Sequence, residues 1–399
     1  MDKLYNTYED ISMGLKNFLI DVDYNLSKPK INTLTNIIVS MVKAENITTH
    51  DISKVFNKDI YSNSFNLESI EKKIWRFLNN DNFNGIEFFN SSIKTIISNI
   101  GVLKHDKLVV IFDHMYVKNN FVVLMFSLKV GSQGIPLYFK CDKTKSNRHR
   151  EIDEKNEKCL FSEKVIIDSI NTVIDILKPI NSKITFLADR WFCNLKLMKH
   201  IDSKGHYFAI RAKVNSSIKF LMYDKKEKHD VYKHFYDLPI HIHHSLYYKD
   251  IPFGSFKFKC NLATSMGCAS DDPWFILTNL EPKLAIKEYK QRFGGIESIF
   301  KNQKTNGFNL EKTHTRNIRA FENLYSMVCF AGVWLVILGA DYTKNYIHVK
   351  NKIKIPFLKK SGKKRIRILS LFNLGLTLFS SLFNTHIEYK IKCNLKLYL

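Results

Sequence analysis

The apolar residues between positions 107 and 214 confine this part of the chain to a mixed α/β sheet. Three β-branched and aromatic runs, each typical of a strand, are joined by short polar connections. These runs are 108–113, 121–130 and 134–142. Apolar residues then recur at helical spacing from Val165 to Leu177, and strand patterns at 183–189 and 206–214 lie on either side of a second helix. This order predicts an antiparallel meander followed by alternating helices and strands in one α/β sheet.

The patterns on either side of this sheet divide the chain into five regions. The sequence predicts a helical N-terminal region over 1–100, the first part of the main domain over 101–214, and a β-rich insertion over 215–280. Closing helices over 281–342 and a basic tail over 343–399 follow. Three short helical patterns in the N-terminal region suit a DNA-binding head, and equally a helical cap packed on the main domain.

The net charge points to an anionic partner. Lys and Arg number 61 against 38 Asp and Glu, a formal charge of +23. The stretch 341–399 alone holds 13 basic and 2 acidic residues, and its densest run includes Lys363, Lys364 and Arg365. Such a run can bind phosphates without reading base sequence. Nucleic acid is therefore the first expectation, and an anionic membrane surface the second.

The cysteine and histidine patterns favour neither a disulfide framework nor a zinc site. Seven cysteines include no C-x-x-C pair, which indicates a reducing compartment. His241, His243 and His244 have no cysteine or carboxylate at a ligand-like spacing, so exposed strand histidines are favoured over a metal site. The apolar stretch Leu324–Ala340 approaches the length of a membrane span. A buried core helix is the favoured interpretation of that stretch.

Two aspartates follow apolar strand patterns, and a helix pattern adds a third carboxylate. Asp113 ends the run LVVIFD and Asp189 ends ITFLAD, on strands at opposite positions of the predicted sheet. In open α/β sheets, ligands gather where strands end. In EYKQRFGGIESIFKNQK, Glu297 lies beside the apolar face of a helix, and Lys304 is two turns further on. Such carboxylates with nearby cations could hold divalent metals and DNA phosphates together.

These residues resemble a known enzyme family. The series Tyr289, Arg292, Glu297 and Lys304 is similar to the Tyr-Arg-Glu-Lys signature of bacterial insertion-sequence transposases of the DDE type. DRWF at 189–192 resembles that family's second-aspartate motif, and FDHMYV at 112–117 resembles its first. The resemblance covers about residues 30–340. It implies a ribonuclease-H-like catalytic domain, a mixed sheet flanked by helices, with the β-rich insertion before the glutamate helix.

The resemblance also implies roles for individual residues. Asp113, Asp189 and Glu297 would be the catalytic carboxylates and would bind two Mg²⁺ ions about 4 Å apart, with Mn²⁺ as a substitute. Residues expected to contact DNA are Tyr289, Arg292, Lys304, Trp191, Lys363, Lys364 and Arg365. For Trp191 and its neighbour Phe192, packing beneath the sheet edge that carries the carboxylates is at least as good an interpretation.

The activity implied is cleavage of double-stranded DNA at the ends of an insertion sequence and strand transfer into target DNA. A homodimer on DNA, no membrane contact, and a bacterial cytoplasmic, nucleoid-associated location are expected with it. Two alternatives stay open. One is a metal-dependent DNA nuclease without strand transfer, and the other is a basic DNA-binding protein derived from a transposase without catalytic activity.

The chain departs from the family at Gly294-Gly295. The family's Arg and Glu are four residues apart, whereas Arg292 and Glu297 are five apart. In a regular helix, five residues would turn the two side chains about 140° away from each other. We therefore predict irregular backbone at 293–296 that returns Arg292 to the carboxylates. A helix boundary that serves only packing is the alternative.

Overall fold

A mixed sheet of ten strands forms the centre of the part of the chain that the computed structural model describes. The described residues are 4–5, 8–22, 24–56, 66–100, 107–118, 121–144, 160–180, 182–255, 257–267, 272–349, 358–361, 364–367, 369–385 and 389–390. Strands of this sheet, numbered along the chain from the short β1 (Leu4–Tyr5), are β2 Lys107–Val117, β3 Phe121–Val130, β4 Gln133–Lys143, β5 Lys183–Ala188, β6 Tyr207–Ala212, β7 Phe220–Asp224, β8 His229–Lys233, β9 Ser245–Phe253, β10 Phe258–Ser265 and β11 Trp274–Thr278. Their order is β4-β3-β2-β5-β6-β11-β10-β9-β7-β8.

Helices cover this sheet. They are α1 Tyr8–Asp21, α2 Lys28–Ala44, α3 Thr49–Val55, α4 Leu67–Leu78, α5 Gly85–Ile100, α6 Glu163–Leu177, α7 Leu195–Ser203, α8 Pro282–Lys290, α9 Ile296–Lys301, α10 Ile318–Val349 and α11 Leu371–Thr385. Short strands outside the main sheet pair as β1 with β14 (Tyr389–Lys390) and as β12 (Leu358–Ser361) with β13 (Lys364–Arg367). The chain is therefore a mixed α/β protein, as the sequence predicts.

The first half of the sheet follows the predicted order. Strands β2, β3 and β4 form an antiparallel meander, while β5 lies parallel to β2 and β6 parallel to β5. Phe112 is opposite Ala188, and Ala188 is opposite Ile210. Because parallel strands end at the same edge, the residues that follow these three stand side by side.

The β-rich insertion continues this sheet. Strand β11 pairs antiparallel with β6, with Ile276 opposite Arg211, and β10 and β9 follow outward. His241, His243 and His244 are exposed, as expected, but they lie on a turn before β9 rather than in a strand. The insertion therefore begins directly beside the central strands and places its own residues near their ends.

The N-terminal helices pack on α10, which is the core helix expected around Leu324–Ala340. Helix α10 contains an apolar stretch long enough to cross a membrane, and most of that stretch is buried inside the protein. The Asn323 side chain on α10 donates to the carbonyl of Leu78 at 2.8 Å and accepts the Gly85 N–H at 2.7 Å. These buried bonds attach α4 and α5 to the main body, so the N-terminal region is at least partly a cap on this domain.

The C-terminal region contains a core helix as well as basic residues. Leu371, Leu374 and Leu378 of α11 are fully buried, and α11 crosses α10 where Gly339 and Gly375 let the backbones meet. A Cβ on Gly375 would lie 1.9 Å from the carbonyl oxygen of Leu335. This helix follows the basic run in the chain. Deleting the chain from Lys359 onward to test the basic run would therefore remove a core helix as well.

Candidate active site

Three residues lie side by side on the neighbouring strands β2, β5 and β6, at the point where β5 ends. Asp113, Asp189 and Arg211 each follow one of the aligned residues Phe112, Ala188 and Ile210. The two aspartates are thus on neighbouring strands, not on opposite ones as the sequence had suggested. Asp113 also lies within β2 rather than at its end, because β2 continues to pair with β3 as far as Val117.

The two aspartates are held in the same way. One carboxylate oxygen of Asp113 accepts the backbone N–H of His114, and one of Asp189 accepts the N–H of Arg190, both at 2.8 Å. Each carboxylate is therefore oriented by the residue that follows it. The same bond from Arg190 makes Asp189 the N-cap of the short 3₁₀ turn Arg190–Phe192.

The third carboxylate comes from a helix that is broken before it. Helix α8 ends at Lys290, residues 291–295 form a turn, and α9 begins at Ile296. Gly294 has a φ of +76°, which favours glycine. A Cβ on Gly295 would lie 2.3 Å from Cδ1 of Ile111 on β2. The predicted irregular backbone is confirmed, and it takes the form of a turn between two helices.

Arg292 lies in this turn and contacts all three carboxylates. Its Nη2 lies 2.5 Å from Oδ2 of Asp113 and 3.7 Å from Oδ2 of Asp189, and its Nη1 lies 3.2 Å from Oε1 of Glu297. The arginine side chain is only 9% exposed. One nearly buried guanidinium thus joins carboxylates from three separate elements.

The turn also fixes Glu297. The second carboxylate oxygen of Glu297 accepts the backbone N–H of Gly294 at 2.8 Å. Lys129 on β3 donates its ammonium to the carbonyls of Gln291 at 2.7 Å and Phe293 at 3.3 Å. Sequence reasoning missed Lys129, because a lysine in an apolar strand pattern gives no sign of which backbone it meets.

Burial and charge oppose each other at this site. Burial raises the pKa of Asp113 to about 6, although Arg292 and the N–H of His114 act in the other direction. Burial would lower the pKa of Arg292, but Asp113, followed by Asp189, raises it overall above its ordinary value. The guanidinium is therefore charged at neutral pH, and Asp113 ionises less readily than an exposed aspartate.

Tyr289 lies behind Asp189. Its phenol donates to a carboxylate oxygen of Asp189 at 3.3 Å, and the residue is 1% exposed. Burial, with a further contribution from Asp189, raises the pKa of this phenol. Trp274 packs edge-on against Tyr289 and stacks on Phe293, which is 47% exposed. Tyr289 therefore holds Asp189 from the buried side, and Phe293 is the aromatic residue of this group that faces solvent.

A second charged cluster adjoins the first. Asp272, just before β11, lies 2.9 Å from a terminal nitrogen of Arg190 and 2.7 Å from one of Arg211. Arg211 is mostly buried, and its Nη2 also donates to the carbonyl of Pro273 at 3.4 Å. Here two guanidinium groups share one carboxylate. No local pattern in the sequence points to Arg211, since its position depends on the strand register.

Lys304 does not join this group. Residues 302–306 form a turn of π-helix after α9, so the two-turn α-helical spacing from Glu297 to Lys304 is not kept. The Lys304 ammonium lies 3.0 Å from a carboxylate oxygen of Glu311. The phosphate contact predicted for Lys304 thus has no support in the carboxylate cluster itself.

Trp191 and the basic run near the C-terminal end are the remaining predicted DNA contacts. Trp191 is half-buried, edge-on to His114, with the Lys213 ammonium 5.9 Å from its ring centroid. Its neighbour Phe192 is buried against Phe112, which is a packing role. Lys364 and Arg365 lie on β13, whose backbone pairs with β12, and Lys363 lies outside the described residues.

The chemistry of this donor set suits Mg²⁺, which prefers carboxylate oxygens and water. The present arrangement, however, places the guanidinium where the three carboxylates meet. Among the described residues, no three His, Cys, Asp or Glu side chains are already grouped as metal ligands. The donors therefore fit a divalent metal chemically, with Arg292 supplying the positive charge in this structure.

Comparison with known proteins finds one family model that matches the part of the chain containing most of this site. Residues 167–334 match the family model described as transposase DDE domain. The matched stretch includes Asp189 and Glu297, together with Tyr289 and Arg292, and begins after Asp113. No curated protein matches the chain. This part of the chain is therefore similar to a transposase DDE domain.

Proposed function

We propose that the chain is a transposase that cuts double-stranded DNA at the ends of its own insertion sequence and joins the freed ends to target DNA. The observation that carries this proposal is the meeting of Asp113, Asp189 and Glu297 on Arg292 at one edge of the sheet. A mixed sheet flanked by helices supports a ribonuclease-H-like domain. The Tyr-Arg-Glu-Lys residues favour a bacterial insertion-sequence enzyme.

Asp113, Asp189 and Glu297 are the residues that would hold divalent metal, with Mg²⁺ the natural ion and Mn²⁺ a substitute. When bound, the metal activates a water or a 3′-hydroxyl as nucleophile and stabilises the leaving oxygen of the phosphodiester. The N–H groups of His114, Arg190 and Gly294 keep the three carboxylates oriented. The protonated phenol of Tyr289 restrains Asp189 from behind.

The cations around this edge would bind the DNA backbone. Arg190 and Arg211 both contact Asp272, which brings two guanidinium groups together next to Asp189. A phosphate beside Asp189 would be bound by these guanidinium groups. We propose the same kind of contact for the basic run that contains Lys364 and Arg365, and further propose that a homodimer brings two element ends together in the bacterial cytoplasm.

The test is metal-dependent nicking by purified protein. Asp189→Asn and Glu297→Gln should each lower nicking of supercoiled plasmid in Mg²⁺ or Mn²⁺ by at least roughly a thousandfold, because each removes a charged ligand. Binding to duplex DNA should change less than about threefold, since lysines and arginines supply that affinity. Glu68→Gln, at an exposed position on α4, is the matched control and should nick normally.

Plasmid nicking that survives Glu297→Gln would contradict the assignment. A pre-cut duplex carrying the element's own end separates the other possibilities. Joining of its 3′ end to a second DNA identifies a transposase, and cutting without joining identifies a nuclease. Binding without either reaction identifies a DNA-binding protein without catalytic activity.

A further inference from the structure

The guanidinium of Arg292 occupies the centre of the carboxylate cluster. It lies within 3.7 Å of an oxygen from each of Asp113, Asp189 and Glu297. Three carboxylates brought this close repel one another unless a cation lies between them. In this structure that cation belongs to the chain itself.

A metal ion and this guanidinium need the same oxygens. The shortest contact, from Arg292 Nη2 to Asp113 Oδ2, is 2.5 Å, and the other oxygen of Asp113 accepts the N–H of His114, so both oxygens of this carboxylate already have partners. Among the described residues no ready-made group of three metal ligands exists. A divalent ion bridged by these carboxylates would therefore meet a fixed positive charge unless Arg292 moved.

Arg292 is held mainly by charge. Its Nε–H is buried, and no acceptor for it lies among the described residues. The residue belongs to the turn 291–295 and not to either helix. Its side chain can therefore leave the carboxylates without unwinding α8 or α9, while Lys129 keeps the carbonyls of Gln291 and Phe293 in place.

We propose that Arg292 is a built-in counter-ion that competes with divalent metal for Asp113, Asp189 and Glu297, and that a DNA phosphate relieves this competition by taking the guanidinium. The inference rests on the proposed function, because it requires these carboxylates to bind metal. Metal binding and DNA binding then favour each other, and in the protein without DNA the guanidinium stays on the carboxylates. Tight metal binding is in this way confined to the DNA-bound protein.

The experiment measures Mn²⁺ affinity directly, by the electron paramagnetic resonance signal of free Mn²⁺, in the full-length protein. Without DNA, Arg292→Ala and Arg292→Met should bind Mn²⁺ at least roughly tenfold more tightly than the unmodified protein. Addition of duplex DNA of arbitrary sequence should raise the affinity of the unmodified protein. The increase should be several-fold smaller in both variants, where only direct phosphate ligation remains.

Matched variants separate the possible failures. Arg319→Ala removes another arginine paired with a carboxylate, Asp81, and should leave Mn²⁺ affinity unchanged. Asp189→Asn should weaken Mn²⁺ binding in the Arg292→Ala background. If Mn²⁺ bound equally with and without Asp189, the proposed function itself would fail.

Equal Mn²⁺ affinity of the unmodified protein and of both Arg292 variants, with binding still dependent on Asp189, would overturn the counter-ion role alone. Should neither Arg292 variant fold, the unmodified protein decides. A Mn²⁺ affinity that duplex DNA does not change, once the Mn²⁺ bound by the DNA alone is subtracted, would overturn the proposal.

Discussion

The two charged clusters at this sheet edge have opposite compositions. Around Arg292, three carboxylates share one guanidinium. Around Asp272, two guanidinium groups share one carboxylate. They are neighbours because Asp189 and Arg211 directly follow Ala188 and Ile210, which are paired on β5 and β6.

This difference in composition indicates which kind of ligand each cluster can bind. The cluster around Arg292 is rich in carboxylates and suits a metal cation, while the cluster around Asp272 is rich in guanidinium groups and suits a phosphate anion. A metal-assisted reaction on DNA needs the metal cation and the phosphate-binding guanidinium groups close enough to act on the same phosphodiester. Variants that change one cluster should therefore leave the function of the other nearly intact.

The largest effect is expected from the glycine turn. Gly295→Val would bring a side chain against Ile111 and displace the start of α9, and with it Glu297. Plasmid nicking should fall by at least roughly a thousandfold, while affinity for duplex DNA stays within about threefold. Deleting Gly294 should also abolish nicking, because its N–H binds Glu297. Gly267→Ala, where a Cβ meets no atom within 4 Å, is the control.

An intermediate effect is expected on the pH dependence of the free energy of unfolding of the metal-free protein. With a pKa raised from 3.8 to about 6, Asp113 binds a proton more readily in the native than in the unfolded state. Its contribution to stability is full below about pH 4 and is lost as the pH rises through about 6, by up to about 3 kcal/mol. Urea unfolding of the Asp113→Asn protein should lack this component, and Arg211→Ala should retain it.

Should Asp113→Asn and the unmodified protein show parallel stability curves between pH 4 and 6, the two clusters would not differ in this respect. Burial would then not govern the ionisation of Asp113.

The smallest effect is expected from the arginine-rich cluster. Arg190→Gln together with Arg211→Gln should weaken duplex binding by roughly tenfold and reduce the slope of log affinity against log salt by about two. Mn²⁺ affinity without DNA should not change. Lys225→Gln with Lys228→Gln, both exposed on the β7–β8 turn, provides a control of equal charge change. An unchanged salt slope in the arginine variant would remove this cluster from the DNA surface.

The sequence predicts much of the fold because its hydrophobic periods are strong. Strand patterns at 121–130 and 183–189 match β3 and β5 closely, and the helical faces near Leu34 and Ile170 match α2 and α6. These patterns are local: continuous apolar runs rich in β-branched and aromatic residues predict the buried strands, and apolar residues three and four apart predict the helices. The glycine pair likewise revealed the break before Glu297, because two consecutive glycines disfavour a continuous helix.

The rest of the site depends on contacts between distant residues. Arg211 approaches Asp189 only through the register of β5 and β6, and Lys129 reaches the turn at 291–295 only through the fold. Neither contact has a local signature. Lys304 was placed with Glu297 on the assumption of a regular α-helix, and the π-helical turn at 302–306 invalidates that spacing. The carboxylates could thus be predicted, but most of their supporting residues could not.

The burial of α11 has a consequence for when the chain completes its folding during synthesis. Phe372 at the start of this helix packs at Gly307, where a Cβ would lie 2.7 Å from its ring, and Gly307 directly follows the π-helical turn after α9. Because residues 371–385 leave the ribosome after every strand of the central sheet, the glutamate helix gains this support only late in synthesis. A nascent chain that already contains all three carboxylates therefore still lacks part of the core behind Glu297. Protection of α9 from proteolysis should then appear only after α11 has emerged.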